Sequence, residues 1–248
     1  MTENTQFPAV PTRFRGESRE IDPGACFEWL REGWRLFLAN PGAWIGSTVL
    51  LLVILMAISI VPLFGQIAAH LLAPLFGAGM VEISRKLSND IQPEVADLFV
   101  GFRHNAGQLV MVGVFFASGI FGLAFIAFLL VSGGVLGGVI TGKLFGLSIA
   151  VGGVMLAGIV VLVLSIPVIM ATWFAPALVF FHDMKPAAAL RASFDAGAKN
   201  WLAMTIFGIF LMVALFFALL PFLMGLLLLV PVFSGAVYAS YRDIFVEA

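Results

Sequence analysis

The sequence predicts an all-α polytopic membrane helical bundle, with six transmembrane helices arranged as three repeats of an interfacial amphipathic helix plus a hairpin. Apolar residues make up 61% of the 248 residues and charged residues only 11%, whereas soluble domains carry roughly 45–50% and about 25%. Long charge-free segments alternate with short charged ones, and the charged segments share one plan. The chain is therefore expected to be surrounded largely by lipid.

The charged residues exclude some partners and locate the start of the membrane domain. The net charge of −1 provides no global basic field, so nucleic acid is not expected as a partner. Residues 1–21 carry charges and lack the apolar core of a signal peptide, which predicts a flexible cytoplasmic tail. Residues 22–248 form the predicted membrane domain.

Six spans follow from the charge-free stretches. A helix needs about 20 apolar residues to cross roughly 30 Å of hydrocarbon. The predicted spans lie near 44–62, 67–87, 108–131, 154–181, 201–220 and 223–241. The glycine-rich segment 132–153 is compatible with a loop, a re-entrant segment or a periplasmic helix.

The lysine and arginine residues predict the orientation. All of the thirteen except Lys143 fall in the tail or in loops on one face of this topology. Because basic residues concentrate in cytoplasmic loops, both termini are predicted to be cytoplasmic.

The three predicted repeats cover about 22–88, 89–182 and 183–245. Each begins with an Asp and a nearby Pro, continues with a short amphipathic helix, and reaches an Asn just before a span. Apolar residues form a stripe on each short helix, as in helices that lie in the headgroup plane. This stripe either packs the ends of the bundle or contacts lipid headgroups or a partner. The candidate interfacial or partner-contact residues are Trp34, Asn40, Phe102, Asn105, Phe194, Asn200 and Trp201.

On the first short helix, the predicted apolar stripe consists of Phe27, Leu30, Trp34, Phe37 and Leu38. The recurring asparagines are interpreted as helix caps or as interhelical hydrogen-bond partners, with headgroup binding as an alternative.

Few ionisable residues lie within the predicted spans. Glu82 has Arg85 and Lys86 three and four residues later, which predicts a neutralised intramembrane ion pair rather than a proton relay. His70 is interpreted as a lone interfacial histidine. No spacing typical of a metal site occurs, and no cofactor is predicted.

Small residues recur every four positions in the glycine-rich segment, at Gly134, Gly138, Gly142, Gly146 and Ala150. If this segment is helical, the series forms a stripe that lets another helix approach closely. If it is a loop, the glycines supply flexibility.

Several activities are disfavoured by what the spans contain. The predicted sixth span has no histidine to act as the base of an intramembrane serine protease, and no phosphate-binding ATPase loop occurs. The span centres are nearly all aliphatic or Phe, which argues against an ion or sugar path. A lipid-like substrate stays compatible with the sequence.

Three short segments carry a family resemblance, namely Leu38-Ala39-Asn40-Pro41, residues 74–79 (PLFGAG) and Asn200-Trp201. The chain resembles the YciC-like family of six-span bacterial inner-membrane proteins and their proteobacterial relatives. It is also similar to the membrane domain of some glycerophosphodiester phosphodiesterases. The resemblance implies a location in the bacterial inner membrane and carries over no catalytic residue.

The expected function is a non-enzymatic bundle for assembly, envelope organisation or partner binding. The alternative is a transporter or flippase of a lipid-like apolar substrate. Expected partners are the lipid bilayer, lipid headgroups at the cytoplasmic interface, and a second copy or another membrane protein.

Overall fold

A computed structural model describes residues 16–62, 64–141, 143–220 and 224–246. The chain is an all-α polytopic membrane bundle, as predicted. Its elements are α1 (Ala25–Ala39), α2 (Pro41–Ser59), α3 (Phe64–Ser88), a 3₁₀ helix (Val95–Phe99), α4 (Val100–Arg103), α5 (Ala106–Thr141), α6 (Lys143–Trp173), α7 (Ala175–His182), α8 (Pro186–Lys199), α9 (Trp201–Leu219) and α10 (Leu226–Phe245).

Five helical segments of the described chain are long and apolar enough to cross a membrane. They are Pro41–Ser59, Phe64–Ser88, Ala106–Thr141, Gly146–His182 and Trp201–Leu219. Helix α10 is not among them, because its last third carries two tyrosines followed by Arg242 and Asp243. The count of six spans therefore stays a prediction.

The glycine-rich segment is helical on both sides of residue 142, which lies outside the described residues. The predicted small-residue series does not form one stripe, because α5 and α6 are antiparallel and lie face to face. A Cβ added to Gly138 would lie 2.4 Å from the carbonyl oxygen of Gly146, and one added to Gly134 would lie 2.8 Å from the Cα of Gly153. The small residues thus permit backbone contact between the two arms of this hairpin.

The α5–α6 hairpin extends well beyond its neighbours. Helix α5 is about 54 Å long, whereas α2 is about 28 Å long at 1.5 Å per residue. Gly113 packs on the backbone of Leu71, near the start of α3. The second half of α5 therefore lies beyond α3, with α6 as its main neighbour.

The buried core lies at the end of the bundle where α3, α7 and α10 finish. Within an 18-residue apolar window of each segment, 56% of the residues are buried in α3 but only 6% in Gly146–His182. The largest fully buried side chains include Trp44, Phe180 and Tyr241. This end, called the polar end below, also holds the hydrogen-bonded network of charged side chains.

Helix α1 lies against α10 and presents two apolar faces. The face packed on the bundle consists of Cys26, Trp29, Gly33 and Leu36. Three members of the predicted stripe instead face outward, with Phe27 54%, Trp34 45% and Leu38 56% exposed, whereas Leu30 and Phe37 are partly buried against the core. Gly33 allows close packing on α10, and three bulky side chains of the stripe are left on the outer surface.

The described part of the tail predicted to be flexible, residues 16–21, makes hydrogen bonds to the bundle. Arg19 donates its backbone N–H to the carbonyl of Ile244 over 3.0 Å, and the N–H of Ile21 donates to Asn200 Oδ1 over 2.9 Å. Backbone and side-chain hydrogen bonds therefore fix the chain from about residue 18. Residues 1–15 lie outside the described residues.

Candidate functional site

A buried bidentate ion pair lies near the end of α3. The Arg85 guanidinium donates to both carboxylate oxygens of Glu82 over 2.6 and 2.7 Å. The side chain of Glu82 is 0% exposed and that of Arg85 is 10% exposed. In such a site each charge depends on the other, because either alone would be buried without compensation. The predicted pair of Glu82 with Arg85 is present.

Lys86 belongs to a different pair. Its ammonium group donates to the two carboxylate oxygens of Asp97 over 2.7 and 2.8 Å, and Asp97 also accepts the backbone N–H of Glu94. The sequence interpretation grouped Lys86 with Glu82 and missed Asp97. The spacing on α3 brings both cations near Glu82, but the 3₁₀ helix folds Asp97 back onto Lys86.

The three recurring asparagines take different roles. Asn40 caps α2 by accepting the N–H of Ala43 over 3.0 Å, and it donates to Gln92 across the first repeat boundary. Asn105 donates to the carbonyl of Val179 over 3.1 Å and to Asp183 over 2.5 Å. Asn105 thereby ties the start of α5 to the end of α7.

Asn200 holds the N-terminal segment rather than capping α9. Its Nδ2 donates to the carbonyls of Arg19 and Ala196, each over 3.0 Å. Its Oδ1 accepts from Ile21. Both interpretations of the asparagines, capping and interhelical bonding, are therefore represented among the three.

Asp243, near the end of α10, is a further site residue that sequence reasoning missed. Arg19 forms an ion pair with its carboxylate, and Trp29 Nε1 donates to its Oδ2 over 3.0 Å. Asp243 therefore joins the N-terminal segment, α1 and α10. The sequence gives no local signal for this role, because its partners lie more than two hundred positions away.

Both tyrosines of the chain lie on α10 at the polar end. The hydroxyl of Tyr241 is hydrogen-bonded to His182 Nε2, and Tyr238 accepts from Ser88 over 3.3 Å. His104 Nε2 lies 3.2 Å from Asp183 Oδ1. Within the described ranges, no group of three or more His, Cys, Asp or Glu side chains is placed to hold a metal ion.

Glu32 and Cys26 on α1 have displaced pKa values. Hydrogen bonds from Arg35 hold the pKa of Glu32 below its ordinary value, against the effect of partial burial, and the charges of Arg35 and Arg242 add to the lowering. Burial raises the pKa of the Cys26 thiol. Cys26 therefore favours the neutral form and is a poor nucleophile.

The aromatic candidates are partly exposed, each on a different helix. Trp34 is 45% exposed, Phe102 38%, Phe194 39% and Trp201 58%. The rings of Trp34 and Phe102 contact neighbours in their own segments or on α3. The structure places the polar candidates in separate hydrogen-bonded groups and leaves these four rings on its outer surface.

An apolar groove of about 480 Å³ lies between α6 and α9. Its walls include Ile166, Met170 and Trp173 on one side and Met204, Gly208 and Met212 on the other. A second cavity, of about 640 Å³, lies where α5 and α8 begin and has polar side chains in its lining.

Residues 28–76 match the model of the N-terminal transmembrane domain of oligopeptide transport permease C. A probable inner membrane protein of Burkholderia thailandensis is 29% identical over 229 residues, which cover 89% of this chain and 83% of that protein. No solved structure matches the chain. The apolar helices and these similarities support a multi-pass inner-membrane protein related to bacterial membrane proteins.

Proposed function

We propose that this chain is a non-enzymatic inner-membrane bundle that binds a membrane-protein partner or a second copy. The observation that carries the proposal is the mutual pairing of buried charges at the polar end. Glu82 is bonded to Arg85 within α3, and Lys86 of α3 is bonded to Asp97 of the 3₁₀ helix. The charges of these groups are neutralised within the fold, which leaves the outward surfaces of α1, α8 and α9 for contact with a partner.

The proposal includes six spans in three repeats, with both termini in the cytoplasm, as in the YciC-like proteins that the chain resembles. The order of a short helical segment followed by two long ones occurs three times among the described elements. Apart from Lys143, which begins α6 at the opposite end of the hairpin, the described lysines and arginines lie near the polar end, which favours that end as the cytoplasmic one.

The test is extraction of the full chain from its native membrane directly into polymer-bounded lipid discs. The proposal expects discs with more protein mass than one 26.6 kDa chain, and photo-crosslinks from a probe at Trp34 or Trp201. A probe at Leu162, which is 64% exposed within α6, is the matched control. Single chains per disc and no crosslink from either tryptophan position would overturn the proposal.

A second candidate function is movement of a lipid-like substrate. It is favoured by the apolar groove between α6 and α9, which opens between the second and third predicted repeats. The matched transport-permease domain adds support from the first repeat. A flexible apolar chain would need no charged group in such a groove, because its binding requires only apolar contact.

Lipid movement can be measured with the purified chain in liposomes that carry a fluorescent phospholipid. The variant Gly208→Leu fills the groove, and Gly158→Leu is its control on α6 outside the groove. A Cβ at either position meets no atom within 4 Å. This candidate expects transbilayer movement that Gly208→Leu abolishes and Gly158→Leu keeps. Movement no faster than in empty liposomes would contradict it.

A further inference from the structure

The cavity between the starts of α5 and α8 combines a polar mouth with an apolar wall. Asn105, Gln108 and Lys185 line it, together with Met111 and Phe115 of α5. Its volume is about 640 Å³. This cavity is separate from the groove between α6 and α9 and shares no lining residue with it.

The mouth of the cavity has one charged residue in its lining, and two helices begin there. Lys185 contributes a full charge directly before α8. The first turns of α5 and α8 add N–H groups without intrahelical acceptors and the positive ends of two helix dipoles. Asp183 lies on the same loop but does not line the cavity, and its carboxylate accepts from Asn105 over 2.5 Å and lies 3.2 Å from His104.

Gln108 provides a second and independent feature of the mouth. Its Oε1 is buried and has no hydrogen-bond partner among the described residues, although the side chain lines the cavity. A buried acceptor without a donor is destabilising. A ligand that brings a hydroxyl donor would satisfy it.

The apolar wall leads from this mouth along the membrane-spanning part of α5. Gly107, Met111 and Phe115 are spaced four residues apart and therefore share one face of the helix. Met111 and Phe115 are each 47% exposed. A chain lying along this face would be in contact with α5 while its head group remains at the mouth.

We propose that this cavity binds one anionic phospholipid with a hydroxyl-bearing head group, of the phosphatidylglycerol class. Its phosphate lies against Lys185 and the first turn of α8, and a head-group hydroxyl donates to Gln108 Oε1. One acyl chain follows Met111 and Phe115. The proposal goes beyond the proposed function and does not depend on whether the chain has a protein partner.

The test is native mass spectrometry of the delipidated full chain, titrated separately with phosphatidylglycerol and phosphatidylcholine. Phosphatidylglycerol is expected to bind more tightly, and Lys185→Gln is expected to weaken it by about fivefold, the effect of one basic residue near an anionic lipid. Arg191→Gln removes a charge from the same helix outside the cavity and is expected to leave binding unchanged. Equal weakening by both variants, or equal binding of the two lipids, would overturn the site.

Two further experiments test the head-group hydroxyl and the acyl chain separately. Gln108→Leu is expected to weaken phosphatidylglycerol but not phosphatidylmethanol, whose head group has no hydroxyl donor. Excess soluble glycerol 3-phosphate is expected not to compete, because it lacks the acyl chain that Met111 and Phe115 contact. Competition by this soluble compound would overturn the lipid assignment, and a Gln108→Leu effect on both lipids would overturn the role of Gln108. Thermal unfolding of every variant confirms that the fold is retained before binding is compared.

Discussion

Gly33 of α1 and Gly235 of α10 touch backbone to backbone where the two helices cross. A Cβ added to Gly235 would lie 2.8 Å from the Cα of Gly33, and one added to Gly33 would lie 2.2 Å from the carbonyl oxygen of Val232. The contact fixes α1 on the bundle without a specific side-chain interaction at the crossing point.

The Gly33→Ala variant is therefore expected to lower the free energy of unfolding. The added methyl group meets backbone rather than a movable side chain, and overpacking of this kind costs about 1–3 kcal/mol. Thermal unfolding in lipid discs measures the change. Gly208→Ala is the control, since a Cβ there meets open space, and an equal loss in both variants would contradict the crossing as the cause.

The buried pair on α3 should respond asymmetrically to substitution. Arg85→Met leaves Glu82 buried without a partner and is expected to cost about 3–5 kcal/mol. The double variant Glu82→Leu with Arg85→Met removes both charges and is expected to be clearly more stable than the single one. Thermal unfolding of the two variants in the same lipid discs provides the measurement.

The exposed pair on α1 supplies the comparison for that experiment. Glu28 and Arg31 have side chains 65% and 76% exposed, so Arg31→Met is expected to change stability by no more than about 0.5 kcal/mol. If Arg85→Met lowered the stability no more than Arg31→Met does, burial of the α3 pair would not make its charges depend on each other.

Low pH should lower the stability that Glu32 contributes to the folded chain, because its carboxylate becomes protonated. Because the pKa of Glu32 is lowered in the folded chain, its stabilising effect is fully present above its ordinary value of 4.5. The effect is lost as the pH falls through the folded value. The stability difference between the native chain and Glu32→Gln should be constant near neutral pH and shrink below about pH 4.5.

Unfolding temperatures measured from pH 7 down to pH 3 test this sign. Repeating the comparison in an Arg35→Gln background should remove most of the pH-dependent difference, because Arg35 is the main cause of the lowered pKa. A stability difference between the native chain and Glu32→Gln that grows as the pH falls would contradict a lowered pKa of Glu32.

The position of α10 can be tested with topology reporters. If α10 crosses the bilayer, a reporter fused after Leu220 reads periplasmic and one fused after Tyr241 reads cytoplasmic. The change of side follows from the basic residues that keep the polar end inside. Two reporters that read the same side would mean that α10 does not cross.

Periodicity and charge were sufficient to predict the helical class and the approximate long helices, because twenty apolar residues in a row have few other stable states. The packed face of α1 was not predictable in the same way. Its sequence has two apolar stripes, and the larger one, with Trp34, is the stronger signal. The smaller stripe packs inward because Cys26 and Gly33 allow close approach, and that depends on the position of α10.

The candidate site was predicted in its local parts only. Glu82 and Arg85 lie three residues apart on one helix, so their pairing follows from helix geometry. The partners Asp97 and Asp243 are brought in by a turn and by a contact between the two ends of the chain. Pairings of this kind depend on the tertiary fold, and residue spacing does not specify them.

The long α5–α6 hairpin has a consequence for how the molecule comes apart. Its distal half is held by contact between its own two arms, with Gly138 on Gly146, whereas the opposite end is held by the core and the charge network. The two halves share few contacts and should melt as separate cooperative units. A substitution that breaks the ion pairs at the polar end would then leave slow amide exchange in the distal half of the hairpin unchanged.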